Sequence, residues 1–198
     1  MSREQELWGQ LVWGVKSGFR AYVAGVTDGT ESVADGVRTD ESGAFVFSLD
    51  DATDFDSVSG HGTLKFRGSV VFSAYRGILL VRVRDLWITL DGDGDGGTVS
   101  IMHPAFREAT SQRREIGRFD AVRREATPGA VTWSIDVPRM TYDGTRAFGD
   151  VYPVDAPFDP IVITLAEPAV PAPTTSARGL RPDVVMRGSP DPRPRPAL

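Results

Sequence analysis

Three aspartates at alternate positions, Asp91, Asp93 and Asp95 in the stretch DGDGDGG, are the most site-like feature of this chain. Calcium is held by such a ladder of carboxylates when glycine turns the chain at the sixth loop position and a bidentate glutamate closes it at the twelfth. Gly96 stands at the sixth position, but the twelfth is Met102, and the flanking LWITL and TVSIM have the period of strands, not of helices. The same letters fit GxGxxG at Gly92, Gly94 and Gly97. That fingerprint needs a following helix, and the intervening aspartates would repel a phosphate. Asp-Gly steps supply the positive φ that tight connections demand, so the stretch reads as a hairpin turn, with weak surface cation binding as the rival reading.

Other chemistry is limited. The chain has no cysteine, which removes disulfides, thiolate metal sites and cysteine nucleophiles. Neither GxSxG nor HExxH occurs, and the only two histidines, His61 in SGHGTL and His103 in IMHPA, read as surface loop or strand-end residues. No local pattern supplies a general acid-base pair, so the chain is not expected to be an enzyme. Two tyrosines stand out: Tyr22 in GFRAYVAG, at the end of a predicted helix, and Tyr75 in FSAYRG, in a turn between two strands. A phenol needs a hydrogen-bond partner when buried, and as phenolate it can ligate ferric iron, as in some haem proteins.

The elements that must position these groups follow from hydrophobic period. From Glu4 to Val23, Leu7, Leu11, Val15 and Phe19 recur every four positions, which predicts an amphipathic helix ending at Gly25, despite Gly9, Gly14 and Gly18. Thereafter the period is two. Phe45, Phe47 and Leu49 alternate in GAFVFSL, and Leu64, Phe66, Val70 and Phe72 in GTLKFRGSVVF. GILLVRVRDLWITL reads as one long strand, with Leu79, Val81 and Val83 opposite Arg82 and Arg84 and a bend at Asp85. TVSIM, VTWSIDV and IVITL follow, VTWSIDV presenting Val131, Trp133, Ile135 and Val137 together. About seven strands separated by turn signals predict an all-β class: an antiparallel two-sheet, sandwich-like domain with an N-terminal α-helix.

With 198 residues, 40% of them apolar, the chain suits one domain with a real core. The formal charge is −5, and residues 169–198 carry five Arg against two Asp, which leaves the remainder at −8. An acidic body argues against nucleic acid as partner. Arg113, Arg114, Arg118, Arg123 and Arg124 do cluster, but Glu115, Asp120 and Glu125 are interleaved, as on a mixed-charge solvated strand or loop. No apolar run approaches the roughly 20 residues of a membrane helix. The opening MSREQELWGQ lacks the pattern of a signal peptide, so a cytoplasmic location is expected. From Pro168 onward proline is frequent, and the domain is expected over residues 1–168, followed by a disordered Pro/Arg-rich tail over 169–198.

Three blocks, LVWGVKSGFRAYVAG, GTLKFRGSVVFSAYRGILLVRVRDLWITLDGDG and FGDVYPVDAPFDPIVITL, resemble in that order the HtaA domain of bacterial haem-uptake proteins, over roughly residues 7–165. The resemblance implies an antiparallel β fold with short helices, and a tyrosine as axial ligand to haem iron. Tyr22 corresponds to that ligand. Where the family has glycine-histidine in the central turn, with the histidine supporting the tyrosine, this chain has Ala74-Tyr75; Gly18 replaces a small residue that is commonly serine. The implied cofactor is ferric haem b, with Tyr22 on the metal and Tyr75 as its hydrogen-bonding neighbour. The implied role is haem uptake, buffering or transfer, with another haem-trafficking protein as partner. The rival is a domain that has lost haem and serves as a protein-interaction module.

Overall fold

The computed structural model describes residues 8–92, 94–104 and 111–166. The predicted tail over 169–198 lies outside the described residues. In chain order the elements are β1 (Trp8–Trp13), α1 (Ser17–Gly25), β2 (Thr30–Ala34), β3 (Arg38–Thr39), β4 (Phe45–Asp51), β5 (Phe55–Asp56), β6 (His61–Arg67), β7 (Ser69–Ala74) and β8 (Leu79–Arg84). They continue with β9 (Trp87–Asp91), β10 (Gly97–Pro104), β11 (Ser111–Phe119), β12 (Arg123–Thr127), β13 (Ala130–Ile135), β14 (Arg139–Met140), α2 (Tyr142–Ala147) and β15 (Ile161–Ala166).

A large antiparallel sheet runs β12-β13-β15-β1-β4-β6-β9-β10-β11-β14, with β3 on β4 and β5 on β6; a small one runs β2-β7-β8. The two sheets share one core, in which Trp13, Phe45, Phe47, Leu64, Ile88 and Trp133 from the large sheet meet Phe72 and Val83 from the small one. The all-β, two-sheet architecture agrees with the period-two reading, and Phe66, Val70, Val81 and Ile135 are buried as that period requires.

The beginning of the chain differs from expectation. Residues 8–13 form a strand, not the first turns of a helix, and α1 begins only at Ser17. A spacing of four is also a multiple of two, so Leu11 and Val15 satisfy either period. The glycines decide. Gly9, Leu11 and Trp13 face inward on β1, which pairs with β15 and β4. A Cβ at Gly9 would lie 2.6 Å from Leu165 Cδ2, so the glycine is there for strand packing.

GILLVRVRDLWITL is likewise not one bent strand. At Asp85, with φ of 50°, the chain leaves the small sheet as β8 and enters the large one as β9. The segment GTLKFRGSVVF makes the same crossing between β6 and β7 at Gly68, where φ is 109° and a Cβ would stand 2.4 Å from Val37 Cγ2. The two crossings lie side by side, the Asp85 amide donating to the Gly68 carbonyl at 3.1 Å. Val137, expected inward, lies beyond the end of β13 and is exposed.

Candidate functional site

The DGDGDGG stretch is the β9–β10 connection. Gly97 pairs with Leu90, and the Asp91 amide donates to the Gly96 carbonyl at 3.0 Å. Gly92 and Gly94 take positive φ, as the turn reading requires; Asp93 lies outside the described residues. Among the described residues no group of three or more His, Asp or Glu side chains could hold a metal ion. His61 is exposed at the start of β6, and His103 is half-buried near the end of β10.

Tyr22 and Tyr75 do come together. Their phenol oxygens are 2.8 Å apart and their ring centroids 6.4 Å. Both side chains are accessible, at 44% and 45% exposure. Helix α1 places Tyr22 by burying its other face: Phe19 and Val23 point into the core, and Tyr22, adjacent to Val23, is left outside. Phe19 is the anchor, in edge contact with Phe72 of β7 and with Phe148, each at 5.3 Å, and with Tyr152 at 6.5 Å. Phe148 is held by α2, whose Thr141 side chain accepts a hydrogen bond from the Gly144 amide at 3.1 Å.

Tyr75 is placed by the β7–β8 turn. Tyr75 and Arg76 both adopt left-handed backbone, at φ of 52° and 58°, and the Gly77 amide donates to the Ala74 carbonyl at 3.1 Å. That is the primed turn whose twist matches a hairpin. Side chains are disfavoured in this conformation, and a carboxylate holds it: Asp28, beyond the end of α1, accepts the Tyr75 amide at 3.1 Å and the Arg76 amide at 2.5 Å. Sequence reasoning missed Asp28. Its only local sign is the Asp-Gly turn signal at Asp28 and Gly29, which says nothing of a partner 47 positions downstream.

Beside Asp28 and Arg76, exposed apolar side chains also stand at this turn. Ile78, in the same turn, is 89% exposed, and Leu79 reaches Gly149, on which Val151 also borders. Tyr152 completes the edge, with Lys16 Nζ 4.4 Å from its ring centroid and donating to the Pro157 carbonyl at 2.7 Å. The Tyr75 phenol is held above its ordinary value, first by the hydrogen bond to Tyr22, then by partial desolvation and the negative charges of Tyr22 and Asp28. Burial, and secondarily the charge of Tyr22, raises Tyr152 as well. Tyr75, in direct contact with Tyr22, thus keeps its proton more tightly than a free phenol. Either phenol can be the donor in this pair; with Tyr75 donating, the Tyr22 oxygen keeps a lone pair directed elsewhere, which suits an oxygen ligand to a hard ferric ion.

The clustered arginines lie on β11 and β12, and three have partners of opposite charge: Arg114 with Asp143 at 3.6 Å, Arg118 with Asp155 at 3.2 Å and Arg123 with Glu125 at 3.4 Å. The mixed-charge solvated reading fits these three; Arg113 and Arg124 depart from it, half-buried over the rings of Trp87 and Trp133. Among the described residues no helix is long and apolar enough to cross a membrane.

The family model HtaA, described as "Htaa", matches residues 8–164. The solved C-terminal domain of HtaA from Corynebacterium glutamicum is similar, with 23% identity and a TM-score of 0.65 over 80% of this chain and 96% of that one. Its N-terminal domain is similar at 22% identity and a TM-score of 0.61, over 82% and 98%. The heme binding protein HtaB from the same organism is 17% identical, with a TM-score of 0.56 over 82% and 95%. At these identities the structures show a shared fold. Among curated protein sequences none matches this chain.

Proposed function

The chain belongs to the HtaA family, and we propose that it binds ferric haem b through the phenolate of Tyr22, with Tyr75 donating a hydrogen bond to the ligating oxygen. The observation that carries this reading is the accessible Tyr22–Tyr75 pair, 2.8 Å between oxygens, in the family's fold and with Ile78 exposed in the same turn. The name of the structurally similar HtaB supports the choice of ligand. The donor set fits: an exposed phenol with one hydrogen-bonding neighbour and apolar surface at Ile78 and Val151 for the flat, hydrophobic body of a porphyrin.

Bound there, haem supplies the ferric centre that a phenolate oxygen ligates. The chain's own residues do the rest. Phe19 fixes the helix so that Tyr22 faces outward, Asp28 locks the turn that presents Tyr75, and Tyr75 keeps its proton to donate it. No residue in the cluster supplies a general acid-base pair, so the role is to hold haem and pass it to another haem-trafficking protein, not to transform a substrate.

Titration of the purified protein with ferric haem tests this. A saturable Soret shift at micromolar haem, with the charge-transfer absorption of a ferric phenolate, is expected, and Tyr22→Phe abolishes both. No shift, or a shift that Tyr22→Phe leaves intact, sinks the reading.

A further inference from the structure

The corner where β6 passes into β7 and β8 into β9 bears an open groove of about 620 Å3, which shares no residue with the tyrosine pair. That volume falls within the roughly 300–1,000 Å3 of small-molecule sites. Its floor is Trp87, half-buried on the face of β9 opposite the core, and Met102 lines one side. Three cations reach the groove, Lys65, Arg67 and Arg113, together with Asp50, Asp51 and Asp85.

Pairing separates these charges. Lys65 is taken by Asp51 at 2.8 Å and Asp54 at 2.7 Å, and Asp85 by Arg84 at 3.0 Å. Arg113 lies flat over Trp87, its guanidinium carbon 3.6 Å from the ring centroid. It donates to the Asp85 carbonyl at 2.9 Å and the Ser100 hydroxyl at 3.3 Å, and among the described residues no carboxylate forms an ion pair with it. Satisfying the carbonyl at the β8–β9 crossing is a structural reason for Arg113. It gives none for Arg67, whose side chain has neither hydrogen bond nor ion pair among the described residues. Among the described residues, two guanidinium groups therefore line one groove without a salt bridge of their own, beside an indole and a thioether, although the Asp85 carboxylate is near enough to act on Arg113.

We infer that this groove binds a small monocarboxylate with an apolar body, its carboxylate received by Arg67 and Arg113 and its body placed against Trp87 and Met102. A planar fork matches a carboxylate, and partial desolvation strengthens the pairing. Asp50, at the bulge of β4 and without an ion pair among the described residues, adds a negative charge to the lining, which disfavours a dianion such as inorganic phosphate. The site is independent of the haem reading.

3-Phenylpropionate serves as probe, followed at the Trp87 indole N–H by 1H–15N correlation, the peak being identified with Trp87→Phe. The acid shifts that peak saturably with a Kd of roughly a millimolar or below, a small-fragment affinity. 3-Phenylpropanamide, the neutral isostere, and inorganic phosphate bind at least tenfold more weakly. Arg67→Gln, at an exposed position that the fold does not need, weakens the acid at least tenfold, and Arg113→Lys does the same while keeping the charge but losing the fork. Equal binding of amide and acid, an unchanged affinity in Arg67→Gln, or no saturable shift of the Trp87 peak overturns the inference.

Discussion

The phenol of Tyr75 sits 2.8 Å from that of Tyr22 and holds its proton more tightly than a free tyrosine, chiefly because of that hydrogen bond. A histidine in this place accepts a proton when the tyrosine ionises; a phenol does not at neutral pH. Ligation of iron by Tyr22 therefore releases the pair's proton to solvent. Haem affinity of the wild type is expected to rise about tenfold per pH unit between pH 6 and 8, by proton linkage. In Tyr75→His the released proton is retained on the imidazole, and the slope flattens over the range in which the ring can hold it. Soret titrations at several pH values measure both slopes, and a flat wild-type profile contradicts the assignment of the proton.

Asp28 acts through backbone, not through the ligand. Its carboxylate receives two amides of a turn whose residues Tyr75 and Arg76 have positive φ. Asp28→Ala is expected to lower stability by about 1 kcal/mol, the net worth of such hydrogen bonds. It also speeds amide hydrogen exchange at Tyr75 and Arg76 and weakens haem binding severalfold. Asp28→Asn, which keeps one acceptor oxygen, recovers part of each effect. Unaltered exchange at those two amides in Asp28→Ala would show that the turn stands without the carboxylate.

Some of this was legible in the letters and some was not, for physical reasons. Strands with one buried face, such as His61–Arg67 and Ala130–Ile135, declare themselves by alternation. Thr30–Ala34 does not, because every residue of that strand is exposed and nothing selects a face. Ser111–Phe119 is hidden by its arginines, and the short helix Tyr142–Ala147 by its length. The crossing at Asp85 was visible as a bend and that at Gly68 was not, and the sheet each half joins depends on distant partners. The tyrosine pair was reached through the family resemblance. The turn that sets it, and Asp28 within it, required the fold.

Phe19 links core stability to the position of Tyr22. It is fully buried, and its edge contacts with Phe72 and Phe148 tie α1 to β7 and to the segment after α2. Phe19→Ala is expected to cost about 3–5 kcal/mol, as for other buried phenylalanines, measured by chemical denaturation. Phe19→Leu keeps most of the volume and loses less. If helix docking positions the phenol, Phe19→Leu weakens haem binding through a faster dissociation rate, while Tyr22→Phe removes the ferric phenolate absorption altogether. An unchanged dissociation rate in a measurably destabilised Phe19→Leu would separate the two roles.

The Asp51–Lys65 pair gives the large sheet an acid-sensitive contact. Lys65 lies opposite Asp51 across β4 and β6 at 2.8 Å and also reaches Asp54. The hydrogen bond to Lys65, with help from Thr53, lowers the Asp51 carboxyl to about 2. Its folded value is below its unfolded one, so the contribution is fully present above the ordinary aspartate range near pH 4 and is lost as pH falls through about 2. Lys65 is shifted up, by Asp51 first and Asp54 second, so its share persists through neutral pH and is lost only as pH rises through that raised value. Both groups remain in contact with solvent, so the effect is small and weakens with added salt. Thermal melts of wild type and Asp51→Asn should differ between pH 5 and 7 and converge towards pH 2. A gap that survives undiminished at pH 2 would trace the loss to the Thr53 amide contact and not to the charge.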